Sequence, residues 1–126
     1  MISQTRTYKD LVFWQKAYLV ARNVIGMCRK LPHDQISSIL AKQIIRSATS
    51  IGANIAEGYG WYKGKEYERF LQIALGSAQE TEHWLLLISD EFPSVKDKSI
   101  ETKELTQEVI KMLIATLNKL RLSTNH

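Results

Sequence analysis

From Leu11 onward, apolar residues recur at the three- and four-residue spacing of one helical face: Leu11, Trp14, Tyr18, Ala21, Ile25 and Cys28, with Ala17 and Val24 alongside. The spacing predicts a first helix over 9–30, capped by Thr7 or Asp10 and followed by a turn over 31–35 that contains Pro32. A second run, 36–59, carries Leu40, Ile44, Ala48, Ile51 and Ile55, and Gly58 with Gly60 read as its C-terminal stop. A third, 63–91, places Phe70, Ile73, Ala74, Ser77, Ala78, Thr81, Trp84, Leu85 and Ile88 on a broad stripe before Pro93, and reads as the longest helix. The last, 99–122, has Ser99 as its predicted cap and Leu105, Val109, Met112, Leu113, Thr116, Leu117 and Leu120 facing inward. Helices of similar length joined by short links predict an all-α fold, an up-down-up-down antiparallel four-helix bundle forming one domain over 1–126.

The apolar positions exceed what one bundle face needs. On the first helix they cover about half the circumference, from Val20 and Phe13 round to Tyr18. The third adds Leu71, Leu75, Leu86 and Leu87. Surplus apolar area on a small bundle predicts a protein interface, here a homo-oligomer. Six Gly and two Pro among 126 residues argue against turn-rich sandwiches and barrels. The single cysteine, Cys28, excludes a disulfide framework and points to a reducing, cytoplasmic setting. The polar opening MISQTRTYKD lacks the apolar core of a signal peptide, and no run approaches the roughly 20 residues of a membrane span, so no membrane association is expected.

Enzyme chemistry finds little support. Glu80 and His83 have the spacing of a di-iron carboxylate motif, but neither His33 nor His126 has a glutamate three residues before it, so the second copy is missing and no metal is expected. His83 reads as a surface residue. The glycine-rich stretch 58–65 fails as a phosphate loop, with Tyr59 and Glu66 at positions that need glycine and a hydroxyl, and fails as a dinucleotide fingerprint at Lys63. Cys28 reads as a small core residue, with no arrangement of histidines to activate it. The sequence therefore predicts no catalytic residues and no cofactor.

Charge and aromatic content point elsewhere. The 17 basic and 13 acidic residues leave a net +4, weighted to the first helix, whereas acidic residues gather between Glu80 and Glu91. Lys16, Arg22 and Arg29 on the first helix, and Lys63, Lys65 and Arg69 beside Tyr59, Trp61 and Tyr62, combine cations with stacking surfaces in the way single-stranded RNA or DNA is bound. The same aromatic loop, Tyr59 to Tyr62, serves equally as an anchor or an oligomer seam. On the second helix, Gln43, Arg46, Ser47, Ser50, Asn54 and Glu57 form a polar stripe, with Ala48, Gly52, Ala53 and Ala56 small enough for a neighbouring helix to come close. Arg46 is expected to pair with Glu80 or Glu57 in a structural role, a ligand site being the alternative.

These residues carry a resemblance. QIIRSATSIGANIAEGYG over 43–60, FLQIALGSAQE over 70–80 and DLVFWQKA over 10–17 resemble the four-helix proteins encoded in intervening sequences of bacterial 23S ribosomal RNA genes. The chain is also similar to the accessory variability determinant of diversity-generating retroelements. The resemblance implies a homopentamer with a basic surface and, in the retroelement relatives, binding of nucleic acid and of a reverse transcriptase; it supplies no catalytic motif. Five copies at +4 each would place about +20 on a shared surface. The alternative is a protein-interaction scaffold or accessory subunit that does not touch nucleic acid.

Overall fold

The computed structural model describes residues 7–60 and 64–124. Four helices carry the fold: α1 Val12–Cys28, α2 Gln35–Tyr59, α3 Lys65–Glu91 and α4 Lys96–Thr124. Short 3-10 turns at Tyr8–Asp10 and Pro93–Val95 precede α1 and α4. Each helix packs against its neighbours in chain order and α1 closes onto α4, which is the circuit of an up-down-up-down four-helix bundle.

Buried positions follow a seven-residue repeat. On α1 they are Phe13, Ala17, Val20, Val24 and Met27; on α3 they are Tyr67, Leu71, Ala74, Ala78, Thr81, Leu85 and Ile88. Alternating steps of four and three keep one seam of a helix facing its partner along its whole length. The α2–α3 pair is the most extensive; along it Ser47 meets Thr81 and Gly58 packs against Tyr67 and Phe70, with Ala74 and Ala78 buried on α3.

Five expectations from sequence are corrected by the structure. The first helix does not begin at residue 9: Thr7 and Asp10 cap the 3-10 turn reciprocally, the Asp10 carboxylate accepting from the Thr7 N–H at 3.1 Å, and Leu11 is extended before α1 starts. It also ends at Cys28. Gly58 lies inside α2, fully packed; a Cβ there would meet Phe70 Cβ at 2.6 Å, so the glycine permits close helix approach rather than stopping the helix. Ser99 is buried within α4, where its hydroxyl donates to Leu85 O at 2.7 Å and ties α4 to the end of α3. With its start moved to Lys96, α4 at 29 residues exceeds α3 at 27.

The inward stripe of α4 starts with hydroxyls. Ser99, Thr102 and Thr106 are fully buried ahead of Val109, Leu113 and Leu117. Thr102 and Thr106 donate to the carbonyls of Lys98 and Thr102, both at 2.7 Å, so burial leaves neither hydroxyl unsatisfied. The turn before α2 is closed by Asp34, whose carboxylate accepts the Ser37 N–H at 2.8 Å and is held below the usual aspartate range by that bond.

Candidate functional site

Three features stand out on this frame: a polar seam between α2 and α3, an apolar groove between α1 and α2, and the dispersed basic residues. The seam is continuous. Near its head, Arg46 reaches Glu80 across the helix pair and Gln43 Oε1 at 3.0 Å on its own helix, and the Trp84 indole N–H donates to Glu80 Oε2 at 2.9 Å. Below, Thr81 donates to Ser47 at 2.9 Å, the Ser50 and Ser77 hydroxyls pair at 3.0 Å, and Asn54 Nδ2 donates to Ser50 O at 2.8 Å. The Trp84 hydrogen bond first, then the Arg46 hydrogen bond and charge, lower the Glu80 pKa against the opposing effect of burial. Ionised and doubly engaged, Glu80 is not placed to give up a proton.

Sequence alone left Arg46 with two acidic partners to choose from, and the structure places it on Glu80. Glu57, the last member of the stripe, is exposed and makes no side-chain hydrogen bond or ion pair among the described residues. Ser77, Thr81 and Trp84 complete the seam from α3. In the sequence they sit within an apolar stripe, because the matching rungs on α2 become visible only when the two helices are paired in register.

The α1–α2 groove has a volume of about 390 Å³. Tyr8, Trp14 and Tyr18 form one wall: the Tyr8 ring meets Trp14 edge-on and Tyr18 stacks on it, both with centroids 5.1 Å apart. Ala48, Gly52, Ala53 and Ala56 form the floor, and a Cβ at Gly52 would touch Trp14 Nε1 at 3.4 Å. Tyr18 is 53% exposed, and other large apolar side chains, among them Val12, Leu19, Ile39 and Leu86, stand similarly open.

The five basic candidates among the described residues do not form one patch. Lys16 pairs with Glu108 at 3.4 Å, and Arg69 pairs with Glu66 at 3.1 Å while its guanidinium lies 4.7 Å from the Phe70 ring centre. Arg29 follows the end of α1 and Lys65 begins α3, so the antiparallel order puts them at opposite ends of the bundle, about 25 Å apart along a 17-residue helix. Arg22, Arg29 and Lys65 have no acidic partner among the described residues. Lys63, with Trp61 and Tyr62 of the aromatic loop, lies outside the described residues, as does His126. Arg22 instead shares a second groove with Lys30 and Lys98, a grouping that depends on how α4 starts.

His83 is exposed and packs edge-on against Trp84 with centroids 4.8 Å apart. Among the described residues, no three His, Cys, Asp or Glu side chains gather as a metal cage. Half-burial pushes the Cys28 thiol up to about 11, which keeps it protonated and a poor nucleophile near neutral pH. No helix among the described residues is long and apolar enough to cross a membrane.

The class this geometry defines is an all-α, antiparallel four-helix bundle with a hydrogen-bonded seam between its second and third helices. The chain belongs to the 23S rRNA-intervening sequence protein family, whose sequence profile matches residues 9–115. It is similar to a crystal structure of a protein of unknown function from the S23 ribosomal protein family of Bacteroides thetaiotaomicron. The two are 31% identical with a TM-score of 0.76, over 84% of this chain and 98% of that one. No curated protein matches the chain.

Proposed function

We propose that this protein is a nonenzymatic scaffold subunit that assembles with copies of itself through the apolar groove between α1 and α2. The carrying observation is the groove itself, an aromatic wall and a floor of small residues left open to solvent. Apolar surface costs about 25 cal/mol for each Å² kept in water, and a contiguous aromatic patch on a small bundle is relieved by contact with protein. The small floor supports close approach of a partner helix. The resemblance implies five copies, which agrees in kind. The polar seam has a structural role in this reading, since its members satisfy one another.

Tyr18→Asp and Ala53→Asp place charge in the groove at exposed positions that the bundle core does not use. The expected outcome is an unchanged helical spectrum with elution shifted to a smaller species. Unchanged elution of both variants would remove the groove as the interface.

A second reading, RNA or DNA binding, is favoured by the net +4 and by Arg22, Arg29 and Lys65, which lack acidic partners among the described residues. Filter binding of 23S-derived RNA tests it: affinity should fall steeply as salt rises, because cations on a strand release its counterions.

A further inference from the structure

We propose that the groove between the second half of α1 and the start of α4 is a binding site for a small phosphorylated ligand of nucleotide size. The inference does not rest on self-assembly, since it uses a different face of the bundle. Arg22 approaches from α1, Lys30 from the turn that follows it and Lys98 from α4, around a volume of about 390 Å³. That volume lies within the range of roughly 300–1,000 Å³ that small-ligand pockets occupy. Asp97 is the one carboxylate in the lining, so the groove carries a surplus of two positive charges. Lys98 is shared with Glu101 at 2.8 Å, whereas Arg22 and Lys30 have no acidic partner among the described residues.

The arrangement at the end of α1 fits the ligand class. Arg22 and Gly26 are four residues apart on one face of α1, and Lys30 follows in the turn beyond Cys28, so the glycine stands between the two cations along the chain. Glycine is a poor helix former, and Gly26 lies within the last turn of α1. Packing does not account for Gly26, because a Cβ there would meet nothing within 4 Å. Its effect is to hold the space between the cations open. Met27 and Val95, each 3% exposed, provide an apolar floor, and Ser94 adds a hydroxyl at the rim. Separated cations over an apolar floor suit a molecule with both phosphates and an apolar ring, held by charge at one part and by contact at the other.

Phosphates reach such a site either on a free nucleotide or on a nucleic acid strand, and the free nucleotide is the ligand proposed, because the basic residues beyond this groove are dispersed. Isothermal titration calorimetry of the full chain with ATP, and separately with pyrophosphate, tests the site. ATP is expected to bind with a dissociation constant at or below about 1 mM, and pyrophosphate more weakly. Arg22→Gln with Lys30→Gln should weaken ATP at least tenfold by removing charge, and Gly26→Leu should do so by filling the gap, each with an unchanged circular dichroism spectrum. ATP binding that both variants leave untouched would overturn the site, as would no heat from either probe up to about 5 mM. A single-stranded RNA oligomer that binds with the same dependence on Arg22 and Lys30 while ATP does not bind would overturn the free-nucleotide ligand.

Discussion

A methyl group at Gly58 would sit 2.6 Å from Phe70 Cβ, a distance no packed pair tolerates, so one hydrogen atom sets how closely α2 and α3 approach at this end of the bundle. Phe70 Cβ is fixed to the α3 backbone and cannot swing away. Gly58→Ala is therefore expected to destabilise by about 1–3 kcal/mol despite its better helix propensity, read as a lower urea midpoint. At the other end of the seam, Glu80 titrates below the ordinary glutamate value of 4.5 because Trp84 and Arg46 hold its ionised form. Lowering the folded-state value stabilises the fold above about 4.5, and the contribution fades as pH falls through the folded-state value. Wild type should then exceed Glu80→Gln in stability at neutral pH, and the gap should close in acid. A gap that stays constant with pH would remove the carboxylate from the account.

Among elements, α4 shows best why periodicity carried the sequence reading only so far. Helices α1 and α3 were legible because Phe13 to Met27 and Tyr67 to Ile88 repeat apolar side chains at steps of four and three, a signal that needs no tertiary knowledge. The first half of α4 hides the same repeat in Ser99, which reads as a cap, and in Thr102 and Thr106, whose hydroxyls give no apolar signal. The chain thus reads as starting α4 late, at the residue that in fact pins its first turn. Ser99→Ala removes a second donor to the Leu85 carbonyl in a buried place and is expected to cost about 0.5–1.5 kcal/mol. A melting point equal to wild type would show that another donor replaces the hydroxyl. The polar seam was half legible in the same way: α2 displays its stripe at helical spacing, whereas Ser77 and Thr81 are hidden among apolar neighbours on α3.

For the whole molecule, the basic residues and the apolar surface separate two kinds of inference. Net charge is a property of composition, but the meaning of each cation depends on what the fold sets beside it: Glu108 for Lys16, Glu66 for Arg69, and open groove for Arg22. The sequence held the list of cations but not their neighbours. Surplus apolar surface was legible from the wide stripe of α1, and its form as an aromatic-walled groove follows from where α2 places Ala48, Gly52 and Ala53. An interface built from that groove should persist in salt, since apolar contact is not screened as surface charge is. The most direct test is sedimentation equilibrium of the full chain at micromolar concentration, in low and in high salt. Assembly through the groove predicts a mass several times the 14.5 kDa of one chain at both salt concentrations; a species of 14.5 kDa in low salt would contradict it.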